Sequence, residues 1–291
     1  MARIVYTSDV HGDLELYRAA GEAALTAKAY ALIFGGDLCP GTPSPRHIDL
    51  PQSQPTFLLE HLVPLVEEWK SKLPTMATCV IPGNDDCGTI LAALEEMENR
   101  KLLVNLHQKK VALGDFELIG LAFVPPTPFS FKDFERRDTP QSRRPEPQLA
   151  RPVLATAEGF KTLEDFDAYL DSQPTIEEEL SRLHPERPGK TVAVMHSPPF
   201  ETRCDVLFNG EHIGSRAIRR WIERHQPLLT LHGHIHESPK QSGSFFDRIG
   251  STVVINPGAS GRRPHWVLLD LENLSVMEHA VYGVRKVDLP S

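Results

Sequence analysis

The chain has 291 residues, enough to bury a sizeable core in one large α/β domain or two small ones. Its 39 acidic residues outnumber its 31 lysines and arginines, so the formal net charge is −8. This balance argues against a general binder of nucleic acids or membrane surfaces, because both attract basic faces. Phosphate-bearing substrates are not excluded, since a local metal site can reverse the sign of the potential within one cleft.

The N-terminus passes directly into a strand pattern without a signal peptide, and no apolar run is long enough to span a bilayer. The four cysteines, Cys39, Cys79, Cys87 and Cys204, are scattered without a short paired spacing. This favours reduced thiols over a disulfide framework or a zinc ribbon. We therefore expect a cytoplasmic protein with no membrane partner and no stable nucleic-acid partner.

Apolar runs of strand length alternate with helical patterns along the chain. Strands are predicted at Arg3 to Ser8, Ala31 to Phe34, Ala77 to Ile81, Phe116 to Phe123, Thr191 to Met195, Leu228 to Leu231, Thr252 to Ile255, His265 to Leu271 and Val276 to Tyr282. Helices are predicted at Leu14 to Lys28, at Thr56 to Lys72, at Leu163 to Leu183 and at Gly214 to His225. A Pro-rich loop from Cys39 to Pro55 precedes the second of these, and a further helix, which follows the loop after the strand Ala77 to Ile81, ends at about Arg100. The order predicts βαβ units followed by C-terminal hairpins, which indicates layered α/β architecture with mixed sheets.

One segment interrupts this rhythm within a predicted single domain over residues 1–291. Residues 125–152 are dense in proline and arginine and include Arg136, Arg137, Arg143 and Arg144. A long irregular stretch in a compact domain is typical of a functional loop or a mobile segment. We interpret it as a flap near a substrate entrance, with a solvated surface excursion as the alternative.

Five of the predicted strands are each followed by residues that can ligate a metal. They are Asp9 with His11, Asp37, Asn84, His196, and His234 with His236. Residues i and i+2 of an extended chain point to the same face, so each spaced pair presents two ligands together. Taken singly, the motifs have ordinary explanations as turns, a core histidine or a polar loop. The ordered set at the carboxyl ends of five strands instead indicates one site.

Seven ligands exceed the needs of one tetrahedral site. They suit two metal ions that share a carboxylate, with Asp37 as the natural bridge. A hydroxide held by both ions would be the nucleophile, and the ions would clamp the attacking and leaving oxygens of an in-line displacement at phosphorus. Ligation by carboxylate, amide and imidazole without thiolates points to Mn, Fe or Zn, and we expect Mn first.

The series Asp9-x-His11, Gly36-Asp37, Gly83-Asn84, His196 and Gly233-His234-x-His236 resembles the calcineurin-like metallophosphoesterase superfamily. The flanking stretches 126–129 and 212–219 are similar to a prokaryotic branch described as Icc-related phosphoesterases. The resemblance implies a four-layer α/β/β/α sandwich of two mixed β-sheets flanked by helices.

The resemblance also assigns the ligands to two divalent ions. One ion would be held by Asp9, His11, Asp37 and His236. The other would be held by Asp37, Asn84, His196 and His234. His232 is then left over, and we expect it to be a core residue or a support for the ligands.

One position departs from the pattern of many members, which carry a histidine directly after the Gly-Asn pair. That histidine contacts the substrate and is often assigned as the acid for the leaving group. Here the position is Asp85, and nearby cations would lower its pKa and make it a poor proton donor. The hypothesis is that Asp85 acts with Asn84 and His196 in catalysis by orienting a catalytic group or water. Asp86 is predicted to cap the next helix or to hold a ligand in place.

The stretch after His196 supplies candidate substrate contacts. They are Arg203, His212 and Arg216, with Asn209 and Arg219 as further candidates, because guanidinium groups suit phosphate oxygens. The alternative is a surface helix whose arginines pair with Glu223 or solvent. Asn256 to Gly258 is predicted to form a turn on the rim of the site.

The sequence therefore predicts a dinuclear metal-dependent phosphoesterase that acts on a small phosphate ester, with phosphodiesters preferred and nucleotides among the candidates. The alternatives are a phosphomonoesterase, a phosphoprotein phosphatase or a non-catalytic scaffold of the same fold. A degenerate scaffold should have lost ligands, and all seven are present.

Overall fold

The structure is a computed structural model that describes residues 2–41 and 49–287. Its strands form two large sheets and one separate hairpin. The strands are β1 (Arg3–Thr7), β2 (Ala31–Phe34), β3 (Ala77–Val80), β4 (Val104–Asn105), β5 (Lys109–Leu113), β6 (Phe116–Leu121), β7 (Val153–Thr156), β8 (Gly159–Thr162), β9 (Thr191–Met195), β10 (Leu229–Leu231), β11 (Phe246–Ile249), β12 (Thr252–Ile255), β13 (Val267–Asp270), β14 (Asn273–His279) and β15 (Gly283–Lys286).

The described residues also form eight α-helices. They are α1 (Leu14–Thr26), α2 (Leu50–Phe57), α3 (Val63–Lys72), α4 (Ile90–Asn99), α5 (Phe166–Asp171), α6 (Ile176–Leu180), α7 (Arg216–His225) and α8 (Ser238–Ser242). A π-helical turn over Leu58–Leu62 joins α2 to α3, and a 3₁₀ turn over Pro188–Lys190 precedes β9. Among the described residues, no helix is long and apolar enough to cross a membrane.

Both large sheets are mixed. The first has the order β15-β14-β13-β1-β2-β3-β4, in which β1 to β4 are parallel and β13 joins β1 antiparallel. The second has the order β11-β12-β10-β9-β6-β5, in which β6, β9, β10 and β12 are parallel. Carboxyl ends of neighbouring parallel strands meet at one edge of each sheet, which is where ligand-type residues were predicted to gather.

Three apolar clusters separate the layers. The central one joins the inner faces of both sheets and includes Ile4, Ile33, Val192 and Leu231. A second packs the first sheet against α1, α3 and α4, and a third packs the second sheet against α6 and α7. The predicted four-layer α/β/β/α sandwich is therefore confirmed.

Two predicted helices were wrong in extent. The helix predicted from Thr56 begins at Leu50, because a proline at its first turn costs no backbone hydrogen bond; residues 42–48 of the predicted loop lie outside the described residues. The helix predicted over Leu163 to Leu183 is two short helices, α5 and α6. Pro174 disfavours a helical residue before it, and Thr175 then caps α6 in a reciprocal capping box with Glu178.

The Pro- and Arg-rich segment makes ion pairs and hydrogen bonds both within itself and to later parts of the chain. Lys132 and Glu135 form a fully buried ion pair, 2.9 Å between Nζ and Oε2, and the Asp133 carboxylate accepts from the amide of Ala155 at 3.2 Å. Arg137 and Arg144 both pair with Asp167 on α5 at 2.9 Å. These two arginines therefore tie the segment to α5. The flap and the single-domain organisation stay predictions.

Candidate metal centre

The seven predicted ligands come together where five strands end. Asp9 and His11 follow β1, Asp37 follows β2 and Asn84 follows β3 of the first sheet. His196 follows β9, and His234 and His236 follow β10 of the second sheet. The two sheets face each other, so the ligands from each sheet meet between them.

Four of these residues form one tight group. The ligand atoms of Asp9, His11, Asp37 and His236 all lie within 4.8 Å of one another. The Nε2 atoms of His11 and His236 are 3.4 Å apart, and Asp9 Oδ1 is 3.1 Å from His236 Nε2. Two imidazole nitrogens that converge with two carboxylates form a donor set that fits a divalent transition metal.

A second group shares Asp37 with the first. His196 Nε2 lies 3.5 Å from Asp37 Oδ2 and 3.2 Å from Asn84 Oδ1. The ring of His234 lies 5.4 Å from the His196 ring, between centroids. Asp37 Oδ2 is also 3.8 Å from His11 Nε2. Asp37 therefore lies between the two groups, where a bridging carboxylate would have to lie.

The backbone at the centre is strained. Asp9, His11, Asp37 and His234 all have positive φ angles, of 58°, 43°, 51° and 67°. Such angles are uncommon for residues with side chains, and they concentrate at functional sites. The strain is held by backbone hydrogen bonds between the first two loops, from Asp9 N to Gly36 O at 3.0 Å and from His11 N to Asp37 O at 2.9 Å.

Two glycines of the motifs are required by close approach. A Cβ on Gly83 would overlap Asp37 Oδ1 and lie 2.7 Å from His196 Nε2. A Cβ on Gly233 would overlap Ser8 and Asp9. The Gly-Asn and Gly-His motifs therefore let the ligands from neighbouring loops pack against bare backbone.

The charges of the centre are balanced by its histidines when no cation is present. Burial acts to raise the pKa of Asp9 and Asp37, but neighbouring histidines outweigh it: His236, His196 and His11 lower the pKa of Asp9, and His196 and His11 lower that of Asp37. Burial likewise opposes a charge on His196 and His236, yet the carboxylates raise the pKa of each to about 9. A bound cation would take over the balancing role of these protons, because histidine ligates metals in its neutral form.

The two remaining histidines of the last motif are neutral. Burial lowers the pKa of His234 to about 3 and that of His232 to about 4. His232 is fully buried, and its Nδ1 lies 2.9 Å from the carbonyls of Met195 and Ser197, which flank His196. His232 therefore supports the His196 loop from behind.

Asp85 is partly exposed and attached to the ligands. Its amide donates to Asp37 Oδ1 at 2.8 Å, and its Oδ1 accepts from Asn84 Nδ2 at 2.9 Å. Its Oδ2 lies 3.9 Å from His11 Nδ1. Without a cation, burial and the charge of Asp37 raise the pKa of Asp85 to about 8. A cation beside the carboxylate acts in the opposite direction.

Asp86 holds the ligand loops and caps no helix, since α4 begins after Thr89. Its buried carboxylate accepts from the amides of Leu38, Cys39 and Gly83 at 2.8 to 3.0 Å. These bonds tie the loop after Asp37 to the loop before Asn84. Of the two predicted roles for Asp86, its contacts match the one that holds a ligand in place.

Two amide side chains in supporting positions were missed or misjudged from sequence. Gln54 of α2 is fully buried, donates to Pro40 O and Asp85 O, and accepts from Cys87 N at 2.6 Å. Nothing in its sequence context signals this role. Asn256 is buried as well, rather than on the rim, and its Nδ2 donates to Gly233 O and Ile235 O. Its position directly after a strand was the available signal.

The three candidate substrate contacts lie in different surroundings. His212 is bonded to Asp205, and Arg216 stacks on the ring of Phe200 at 3.5 Å. Arg203 lines a separate cavity of about 200 Å³ with residues that include Phe246 and Tyr282 and none of the seven ligands, so the structure does not bring it to the centre.

The two further candidates have local partners. Arg219 Nη1 donates to the carbonyl of Phe200 at 2.8 Å, and its Nε bonds Glu223. Asn209 Nδ2 donates to Glu211 at 2.8 Å. The contacts of Arg219 match the alternative interpretation, in which arginines of a surface helix pair with Glu223 or solvent, and Asn209 likewise has a surface partner.

Comparisons with known proteins agree with this geometry. The model of the calcineurin-like phosphoesterase family matches residues 2–238, whereas comparison with curated proteins finds no match. Among solved structures, protein TT1561 of Thermus thermophilus is 16% identical with a TM-score of 0.59, covering 96% of this chain and 97% of its own. A dimetal phosphatase from Danio rerio is 12% identical with a TM-score of 0.51, covering 98% and 96%. At these identities the structural likeness shows a shared fold.

Proposed function

The chain belongs to the calcineurin-like phosphoesterase family, and on that premise we propose that it hydrolyses phosphate esters with two divalent metal ions. The observation that carries the proposal is the convergence of Asp9, His11, Asp37 and His236 within 4.8 Å. Mn²⁺ is the proposed metal, with Fe or Zn as alternatives that accept the same ligands.

In this proposal the seven residues keep the roles that the family resemblance implies. Asp9, His11, Asp37 and His236 hold one ion, and Asp37, Asn84, His196 and His234 hold the other. Bound divalent ions lower the pKa of water and neutralise charge on the phosphoryl oxygens. The shared position of Asp37 supports this division, because its Oδ2 is within 4 Å of a nitrogen from each group.

The proposed substrate is a small phosphodiester, with nucleotides among the candidates. Asp85 puts a carboxylate beside the ligand Asn84, at 2.9 Å. A carboxylate next to bound cations is ionised and cannot protonate a leaving group. Its charge also disfavours a dianionic monoester more than a monoanionic diester. Both effects favour diesters.

The substrate class is tested by comparing turnover of matched aryl phosphate diesters and monoesters, with Asp85→His alongside the wild type. The expected result is diester preference in the wild type and a gain in relative monoester turnover in Asp85→His. Strong monoester preference of the wild type would overturn the substrate class and leave the metal centre standing.

We also propose that the protein acts in the cytoplasm without a membrane or nucleic-acid partner. All four cysteines are buried and unpaired, as expected for a chain kept in a reducing compartment. A disulfide in the natively purified protein would contradict this.

A further inference from the structure

Outside the metal centre, a single histidine of the described chain is bonded to a carboxylate. His212 Nδ1 lies 2.7 Å from Asp205 Oδ1. The Asp205 side chain is fully buried, while 36% of the His212 side chain is exposed. Because Nδ1 donates to the carboxylate, Nε2 is the ring nitrogen left to contact a ligand.

Asp205 is itself rigidly placed. Its carboxylate accepts from the amides of Glu201, Thr202 and Gly214 at 2.9 to 3.1 Å, besides its bond to His212. A buried carboxylate with four donors is fully satisfied and fixes the orientation of its imidazole partner.

The pair is attached to the loop that carries His234 and His236. The carbonyl of Cys204, next to Asp205, shares the Asn256 amide with the carbonyls of Gly233 and Ile235, all within 3.2 Å of that nitrogen. The next residue along, Val206, donates its amide to Ser238 Oγ at 2.9 Å. The two chain neighbours of Asp205 are therefore tied to the second sheet's ligand loop and to Ser238 directly after it.

The residues that follow His212 are also hydrogen-bonded to the loop that carries His196. Ser215 donates its amide to Pro198 O at 2.8 Å, two residues after His196. The ring of Phe200 in this stretch contacts the His212 ring edge-on, with centroids 6.2 Å apart. His212 thus stands on a wall that joins both loops contributed by the second sheet.

The reaction proposed above needs a proton donor for the leaving oxygen. We propose that His212, oriented by Asp205, is this general acid. This inference rests on the proposed function. In hydrolases with an Asp–His pair, the carboxylate fixes the tautomer and stabilises the imidazolium that transfers the proton.

The proposed step balances. The oxygen of water bonds to phosphorus and releases a proton to solvent. The bond from phosphorus to the leaving oxygen breaks, and its electron pair stays on that oxygen. The leaving oxygen takes the proton from His212 Nε2, so the products are an alcohol and a phosphate monoester, and His212 then regains a proton from solvent.

The test uses a series of aryl methyl phosphates whose phenols range from 4-nitrophenol to unsubstituted phenol, with Mn²⁺-loaded protein. A general acid contributes most where the leaving group is poor. On phenyl methyl phosphate, the rate of His212→Gln should therefore fall by about 10²-fold or more relative to the wild type. On the 4-nitrophenyl ester, the fold-loss should be at least ten times smaller. The dependence of rate on leaving-group basicity becomes steeper than in the wild type.

Two further variants sharpen the test. Asp205→Asn should steepen the same dependence to a smaller degree, and if it fails to fold, His212→Gln decides alone. His61→Gln, on an exposed helical position, should leave the dependence unchanged. An equal loss on all esters in His212→Gln would overturn the inference while the proposed function stands. Absence of metal-dependent hydrolysis in the wild type would overturn both, and thus separates the two failures.

Discussion

The amide of Asp85 donates to Asp37 Oδ1 at 2.8 Å, so the residue directly after the ligand Asn84 is attached to the carboxylate shared by both ligand groups. Because this bond is made by the backbone, a substitution of the Asp85 side chain changes the charge beside the substrate and keeps the hydrogen bond to Asp37. This coupling explains why substrate class, rather than metal binding, is the property expected to change at this position.

Metal binding should stabilise the folded chain independently of any reaction. A ligand that binds only the folded state contributes about 2.7 kcal/mol at 100 times its dissociation constant. Mn²⁺ added to stripped protein should therefore raise the melting temperature, and chelation should reverse the rise. Asp37→Ala should show little of this shift, because it removes the oxygen common to both groups. An equal shift in wild type and Asp37→Ala would place the bound metal elsewhere.

The bare backbone at Gly83 should be essential for metal affinity. Gly83→Ala drives a Cβ into Asp37 and against His196, and disturbing groups that orient ligands typically costs about 10- to 100-fold in metal affinity. Calorimetric titration with Mn²⁺ measures the loss. Gly189→Ala is the matched control, since nothing lies within 4 Å of the added Cβ there. Unchanged affinity in Gly83→Ala would contradict the packing described for the centre.

Gln54 should matter for both stability and hydrolysis. Gln54→Met keeps the length of the side chain but leaves the amide of Cys87 and the carbonyls of Pro40 and Asp85 without their partner. The bond to the Cys87 amide is buried, whereas the two carbonyls are partly buried and can bond water instead. A buried orphan costs about 1–3 kcal/mol, so we expect a loss of about 3 kcal/mol in the free energy of unfolding. Turnover should fall as well, because Asp85 loses its support.

Denaturant unfolding and diester turnover measure these two effects. Gln52→Met is the control, because its amide donates to Ala157 O at the surface, and a change within about 0.5 kcal/mol is expected. If Gln54→Met behaved like Gln52→Met, the brace would have no energetic role.

Acid should destabilise the protein through buried neutral histidines away from the metal centre. Burial lowers the pKa of His107 to about 3 and that of His279 to about 4, from 6.5. Between those values and 6.5 the unfolded chain binds protons that the folded chain does not. Stability is therefore complete above pH 6.5 and is lost as the pH falls, by up to about 1.4 kcal/mol per pH unit for each group.

Unfolding free energies measured from pH 7 to pH 4 test this. In His107→Asn the amide oxygen can still accept from Ala122 N, which bonds His107 Nδ1 at 3.0 Å. The unfolding free energy of the variant should depend less steeply on pH, by up to about 1.4 kcal/mol per pH unit, the value that corresponds to one proton. A slope identical to that of the wild type would mean that His107 titrates normally.

The sequence was most informative where chemistry and spacing coincide. The predicted family and fold are confirmed. They could be predicted because Asp9, His11 and Asp37 stand at strand ends that the apolar pattern already delimits. The branch, the native metal and the roles of individual ligands stay predictions. Contacts between loops were out of reach: Gln54 contacts Asp85 31 residues away, and no periodicity encodes that distance. Arg203 resembled a phosphate contact by type alone, and its backbone placement directs it to another cavity.

The most direct measurement is hydrolysis by metal-stripped protein reconstituted with Mn²⁺, on matched aryl phosphate diester and monoester substrates, with Asp37→Ala beside the wild type. We expect diester turnover that requires the metal and falls to background in Asp37→Ala. Metal-independent turnover, or full activity of Asp37→Ala, would contradict the proposal that the protein is a hydrolase with two metal ions held around Asp37.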